Sequence, residues 1–274
     1  MSGNVMAQMV VGVDVGGSSI KGGVVDVETG ELAGELVSVP TPQPAKPEAM
    51  IPAIAQLIAR LPATSGTIGL CFPSVVKQGR IRTAANIDHA WLGIDGAALA
   101  AKALRRPVVF LNDADAAGLA EMRWGAGRGL EGPVVMVTLG TGIGSALFIG
   151  GQLFPNTEFG HLEMRGMDAE KWASAHVRTA LRLDFPAWCE RVNEYLARLN
   201  ALLWPDVFIL GGAVTEHFAE FAPLLKSEAE IRVARFAGQA GIAGAALAAA
   251  GGALAAAGAA PSAASAARSA PGAQ

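Results

Sequence analysis

The sequence predicts an α/β fold built twice, with two β-rich lobes on either side of a central cleft. Three observations predict it. Short, nearly continuous apolar runs alternate with stretches of helical periodicity. The pattern then restarts, so that Val10, Val11, Val13, Val15 and Gly16 fall on Val134, Val135, Val137, Leu139 and Gly140 when the second half is laid on the first. Each half also opens with a strand that runs into a glycine-rich turn.

Taken in order, residues 10–15 read as a buried strand and residues 16–19 as a turn. Residues 20–27 and 32–39 form two further strands joined at Gly30. After a proline-rich loop over 41–47, residues 48–60 place Ile51, Ile54, Leu57 and Ile58 on one helix face. A strand over 67–72, a helix over 97–104, a strand over 108–111 and a helix over 114–123 complete the first half. The second half has strands over 134–139 and 145–149 around a glycine turn, a long helix over 186–203, and strands over 206–210 and 231–236. Glycine turns from both halves face one cleft. That is the layout of the duplicated actin-like, hexokinase-like (ribonuclease H-like) fold. The expected organisation is a flexible start over 1–9, a small lobe over 10–111 and a larger lobe over 112–239. A closing helix over about 240–250 returns to the small lobe, and an Ala/Gly/Ser/Pro-rich disordered tail covers 251–274.

The bulk numbers bound the function. The chain of 274 residues suits two lobes sharing one interface, and 51% hydrophobic residues support a large core. A net charge of -3 gives no global pull toward nucleic acid or an anionic membrane, so an anionic substrate needs a local basic site. The two cysteines, Cys71 and Cys189, fit no zinc spacing and suit a reduced, cytoplasmic compartment. The N-terminus shows no basic segment and no long apolar core, so no signal peptide is expected. Residues 236–267 carry no charge, but they are mostly Ala and Gly, which suits a packed helix better than a membrane span.

The candidate chemistry sits at the turns. In residues 13–22 (VDVGGSSIKG), Gly16 and Gly17 allow positive φ and expose backbone N–H groups to an anion. Ser18 adds a hydroxyl, Lys21 a cation, and Asp14 a carboxylate that can hold Mg²⁺ through water. An ordinary hairpin explains the same glycines. Residues 138–145 (TLGTGIGS) contain Gly140, Thr141 and Gly142, and because a strand follows, a dinucleotide fingerprint fails while a phosphate-holding hairpin survives. Asp113, closing the run over 107–111, is the candidate general base, and Asn112 can fix a neighbouring hydroxyl. A helix N-cap accounts for the same pair, and the two roles can coexist. Glu158 and His161 can grip vicinal sugar hydroxyls, and Asn86 can line a sugar pocket or simply cap a loop. Gly211 and Gly212 let a ligand such as a purine approach the backbone, or make a tight turn. Arg80, Arg82, Arg123, Arg128 and Lys21 are candidates for a basic path, or are solvated surface charges.

Together these segments resemble the ROK family of sugar kinases, and within it the branch that uses polyphosphate. The resemblance covers residues 10–250 or so. It is carried by 10–27, 111–115 (LNDAD), 137–146 (VTLGTGIGSA) and 155–163 (PNTEFGHLE), with 82–88, 168–171 and 239–247 in support. It implies transfer of a terminal phosphoryl group to the 6-hydroxyl of glucose, with mannose as a further acceptor. Polyphosphate, ATP or both would be donors, with Mg²⁺. It also implies Asp113 as base, Asn86, Asn112, Glu158 and His161 on the sugar, and Gly16, Gly17, Thr141 and Gly142 on the donor. A homodimer is expected, with no nucleic acid and no membrane as partner. The chain lacks the Cys-rich loop of many relatives, so no zinc is expected, and the sugar-binding Glu of that loop has two candidate replacements, Glu163 and Glu170. Ala213 stands where a third Gly is frequent, which can crowd an adenine. The alternatives are an ATP-only hexose or aminosugar kinase of the same family, and a sugar-sensing repressor. The repressor needs a DNA-binding domain ahead of Val10, where only nine residues stand.

Overall fold

The computed structural model describes residues 8–85 and 87–251. The first half opens with β1 (Met9–Val15), β2 (Ser19–Asp26) and β3 (Val37–Pro40). Helix α1 (Pro47–Ala59) leads to β4 (Ile68–Phe72), a small hairpin of β5 (Val76–Lys77) and β6 (Arg80–Ile81), and α2 (Gly96–Leu104). Strand β7 (Val108–Asn112) passes directly into α3 (Asp113–Trp124). The second half runs through β8 (Val134–Leu139), β9 (Ile143–Ile149) and β10 (Gln152–Phe154), then β11 (Glu163–Met164) and β12 (Met167–Asp168). Helices α4 (Ala169–Ala173), α5 (Ala175–Ala180) and α6 (Phe185–Leu203) follow. The chain closes with β13 (Val207–Gly211), α7 (Phe218–Phe221), β14 (Glu230–Val233) and α8 (Ala240–Ala249).

The repeat seen in the valine pattern is a repeat of topology. One sheet has the order β3-β2-β1-β4-β7 and the other β10-β9-β8-β13-β14. In each, the first three strands form an antiparallel meander and the last two add in parallel. The first lobe packs Val11, Val13 and Val15 of β1 against Ile54 and Leu57 of α1, with Trp91 buried beneath. The second packs Val135, Val137 and Leu139 of β8 against Trp188, Val192, Tyr195 and Leu199 of α6. Each such aliphatic side chain taken out of water is worth about 1.5–3 kcal/mol, which is why these faces choose the helix partners they do.

Helix α8 joins the halves, packing on β1 and β4 and along α3. Its small residues are what this requires. A methyl group on Gly69 of β4 would strike the Ala245 carbonyl, and one on Gly244 would strike the backbone of Ala116 in α3. Composition that looks membrane-like is here a device for close backbone approach. Among the described residues no helix is long and apolar enough to cross a membrane.

Several boundaries shift by a residue or two, and three differ from those expected for a visible reason. The strand expected over 32–39 forms only at Val37–Pro40. Leu32 makes a lone bridge to Val25 and lays its side chain over Gly23, and Gly34 at φ 152° interrupts the run. The strand expected over 231–236 stops at Val233, because the Phe236 N–H turns aside to donate to Glu121 Oε1 at 2.7 Å. The start expected to be flexible through residue 9 is already strand at Met9, with the Gln8 carbonyl accepting from Val27 N at 3.1 Å. Residues 1–7 and 252–274, which hold the rest of the expected flexible start and of the disordered tail, lie outside the described residues.

Candidate active site

The site is built around the junction of β7 and α3. Asn112 ends the strand and caps the helix, its Oδ1 accepting from Asp115 N at 2.9 Å while its Nδ2 donates to the Ser74 carbonyl at 3.1 Å. The capping role therefore occupies this side chain, which still lines the cavity beside Asp113. Asp113 is the first helical residue, and its Oδ1 accepts from Ala114 N at 2.8 Å. Burial pushes the Asp113 carboxyl up to about 7, the charges of Asp14 and Glu158 push the same way, and the Ala114 N–H opposes them. A carboxylate with that pKa is matched to proton transfer near neutral pH.

Asp14 lies near the end of β1, where its register partner on β2 is Lys21. Burial raises its pKa, against the hydrogen bond from the Cys71 thiol (3.3 Å to Oδ1) and the positive charge of Lys21. Cys71 is buried, and burial with the neighbouring acids holds its thiol well above the usual range, so it acts here as a donor to Asp14 and not as a nucleophile. Asp14 and Asp113 are thus both desolvated and within electrostatic reach of one another.

A cavity between the lobes brings the expected sugar residues together. Asn112, Asp113, Glu158 and His161 all line it, with Ser74 and Thr83 from the first half and Gly144 and Ser145 from the second. Asn86 lies outside the described residues. Glu158 precedes a short 3₁₀ turn over Phe159–His161 that sets its Oε2 3.6 Å from His161 Nε2. Burial raises the Glu158 pKa, with His161 opposing and Glu170 adding to the rise. The other His161 nitrogen stands 3.8 Å from Asp168, which is itself 2.8 Å from Lys171 Nζ.

Of the two candidate glutamates, Glu170 is on this side of the molecule. Its Oε2 accepts from Ile143 N at 3.4 Å, at the root of the second glycine hairpin, whereas Glu163 is exposed on β11. His161, Asp168 and Glu170 bring one ligand atom each within 4.8 Å of one another, the one such trio among the described residues. It contains no cysteine. Cys71 and Cys189 are free and buried in different cores.

The glycine hairpins are present, but not by the backbone route expected. Neither Gly16 nor Gly17 adopts a positive φ. At Gly16 the need is space, since a Cβ there would stand 3.0 Å from the Ser19 carbonyl. The Gly16 carbonyl accepts from Thr41 Oγ1 at 2.6 Å and the Gly17 carbonyl from Gln43 Nε2 at 3.3 Å, while Gly17 and Ser18 stay exposed at the tip. In the second hairpin Gly140 N donates to Gly142 O at 3.0 Å, Thr141 is exposed, and the Gly140 carbonyl is held by His176 N at 3.0 Å. Gly211 closes β13, and Gly212 does need glycine, with φ 94° and a Cβ position that would strike the Leu139 backbone.

A bridge between the halves has no local sequence signature. Asn156 of the second half, at φ 61°, accepts from Val76 N at 2.7 Å and donates to Val76 O at 3.0 Å, as a neighbouring strand would. Asp115 Oδ2 accepts from Asn156 N at 2.8 Å, and its Oδ1 is buried with no partner. Burial pushes the Asp115 carboxyl up to about 7, with the Asn156 N–H opposing and the charges of Asp113 and Glu158 adding. The readable signal was an acid in an otherwise small, apolar helix turn, two residues after the candidate base.

Two lobes of one topology, with a desolvated carboxylate in a cavity lined from both, define a phosphotransferase of the duplicated α/β class. The chain belongs to the ROK family, whose sequence pattern matches residues 10–176. The polyphosphate glucokinase of Mycobacterium tuberculosis is 44% identical over 238 residues, covering 86% of this chain and 89% of that protein. The structure of the inorganic polyphosphate/ATP-glucomannokinase of Arthrobacter sp. strain KM superposes with a TM-score of 0.85 at 44% identity, covering 88% of this chain and 98% of that one. A ROK family glucokinase from Streptomyces griseus, solved with glucose and AMPPNP, gives a TM-score of 0.76 at 26% identity over 89% and 100% of the two chains.

Proposed function

We propose that this protein phosphorylates glucose at its 6-hydroxyl, taking the terminal phosphoryl group of inorganic polyphosphate and also of ATP. The observation that carries the reading is Asp113, a carboxylate lifted to about 7 at the head of α3, in one cavity with Asn112, Glu158 and His161. The 44% identity to a polyphosphate glucokinase over most of both chains supports the donor and the acceptor.

In this mechanism Glu158, His161 and Glu170 hold the sugar hydroxyls and Asn112 completes that wall, with Asn86, outside the described residues, as a further sugar ligand implied by the family resemblance. The fixed sugar presents its 6-hydroxyl to Asp113, which accepts the proton as the oxygen bonds to the terminal phosphorus. The bond from that phosphorus to the bridging oxygen breaks, and the shortened donor leaves with the electron pair. Gly16, Gly17 and Ser18 on one hairpin and Gly140, Thr141 and Gly142 on the other hold the donor from both sides. Lys21 offsets its charge. Gly211 and Gly212 leave room for an adenosine when ATP is the donor. Asp14 would hold Mg²⁺ through water, and the ion when bound neutralises charge on the phosphates.

The lobes are assigned as 10–111 with the closing helix, and 112–239. A homodimer is the expected assembly, and exposed Leu202 and Trp204 at the end of α6 are a candidate face for it. Sedimentation of Trp204→Ser beside the unmodified protein tests that face. A shared monomeric or shared dimeric mass removes it.

The test of function is glucose 6-phosphate formation by nucleotide-free protein with Mg²⁺, offered polyphosphate or ATP separately, with mannose as a parallel acceptor. Product from polyphosphate alone is expected. Product from ATP only would place the chain with the nucleotide-dependent sugar kinases of the family.

A further inference from the structure

A second hollow, of about 870 Å³, lies beside the C-terminal end of α3, between β2 with the turn that follows it and the segment leading into α8, and shares Lys21 with the first hairpin. Four cations line it from four segments: Lys21 of β2, Arg123 at the end of α3, Arg128 in the loop beyond, and Arg235 after β14. None of the four forms an ion pair among the described residues, although Arg80, Arg165 and Arg232 each do. Glu28 and Glu31 also line the hollow, which leaves cations in excess there in a chain whose net charge is -3. Unpaired like charges gathered around one hollow repel each other, and an anion lying among them relieves that repulsion.

The position of the hollow identifies the anion. Lys21 is shared with the site, since it is the register partner of Asp14. Arg123 stands ten residues along α3 from Asp113, which at about 1.5 Å per residue is about 15 Å away. The basic wall therefore begins at the phosphoryl-transfer end and runs away from it. Guanidinium groups suit it, because their planar donors match phosphate oxygens.

Resting on the donor proposed above, we propose that this hollow is a distal polyphosphate subsite, where Arg123, Arg128 and Arg235 hold phosphates that follow the reacting end of a long chain. A short donor ends near Lys21 and does not reach the arginines. A long donor gains contacts that do not change during the transfer, so the subsite acts on KM for long chains and leaves kcat alone.

The test is the variant Arg123→Gln/Arg128→Gln/Arg235→Gln, assayed with long-chain polyphosphate, tripolyphosphate and ATP. Gln keeps a polar side chain and removes the charge, and a thermal melt confirms that the variant folds. Each lost charge-assisted contact is worth enough that KM for long-chain polyphosphate should rise about tenfold or more. KM for tripolyphosphate should stay within about twofold, and the salt dependence of the long-chain KM should weaken. The single variants Arg123→Gln and Arg128→Gln should each give part of the rise, and Arg123→Lys should restore part of it. An unchanged long-chain KM overturns the subsite while leaving the donor assignment intact. A KM that rises equally for ATP and for tripolyphosphate overturns it too, because the arginines would then serve every donor. Unmodified protein that makes no product from either polyphosphate removes the donor reading and this inference with it.

Discussion

The two halves share strand order, pairing and hairpin, yet only the first carries charge at the head of its hairpin. There Asp14 faces Lys21 across β1 and β2, while in the second half Thr138 faces Gly144 across β8 and β9. The same asymmetry holds for the helices that follow the last strand of each sheet. Helix α3 opens with Asp113 and Asp115, and its counterpart α8 has no charged residue at all. Duplication supplies the geometry twice, but the electrostatics are placed once. A physical reason is at hand. Asp113 is already pushed up by burial and by Asp14, and an acid at the head of α8, which abuts Asp14 through Gly241, would push it further from the ionised form a base needs.

The largest expected effect breaks this asymmetry at its centre. Asp113→Asn keeps the size of the side chain and removes the base, so kcat should fall by about two to four orders of magnitude while glucose affinity by calorimetry is retained. Near-normal turnover would take Asp113 out of the mechanism. The parent enzyme should lose kcat/KM as pH drops through about 7, because the base must be ionised, and the neighbouring Asp115 titrates in the same range. The stability sign is opposite. The folded chain binds the Asp113 proton more tightly than the unfolded one, whose pKa is near 3.8, so stability is lost as pH rises from there to about 7 and is level above it. Asp113→Asn should flatten that slope in thermal melts. Next in size is the pair at matching positions. Asp14→Asn should lower kcat by about ten- to a hundredfold, on the scale of one lost charge-assisted contact, and Thr138→Val by less than about threefold. Equal losses at the two positions would mean that the halves share the electrostatic work after all.

The comparison also shows what a sequence can carry. Buried strands are nearly continuous apolar runs, so β1 and β8 announce themselves and reveal the repeat. Short elements have no period to read, and β5, β6, β11, β12 and the turns of α4 and α5 pass unnoticed. Leu32 was legible as apolar but not as a single side chain covering Gly23. Within the site, Asp113, Glu158 and His161 were legible because their motifs are local. The contact between Asn156 and Val76 spans 80 positions and exists only once the lobes meet. For Asn112 the sequence offered both cap and ligand; the cap is visible in its bonds to the Asp115 N–H and the Ser74 carbonyl, and the side chain also lines the cavity.

The smaller effects sharpen the comparison on the sugar side, where the second half supplies the grip. Glu170→Gln should raise glucose KM by about tenfold, as expected for a lost charged hydrogen bond, and Glu163→Gln should leave it unchanged. The reverse pattern would reassign the replacement for the missing sugar-binding glutamate. The smallest effect tests how the halves are held. Asn156→Gly removes both side-chain bonds to Val76 without strain, because glycine tolerates the φ of 61° and an alanine there would not. The Asn156 N–H still reaches Asp115, so the acid keeps its partner. Two hydrogen bonds of ordinary net strength hold Val76 and the hairpin it begins, and weakening them favours open arrangements of the cleft. An acceptor that binds only the closed form then sees fewer competent molecules, so glucose KM should rise about three- to tenfold with kcat nearly constant. A fall in kcat at constant KM would show instead that the Asn156 side chain positions Asp115, and through it Asp113, for the transfer step.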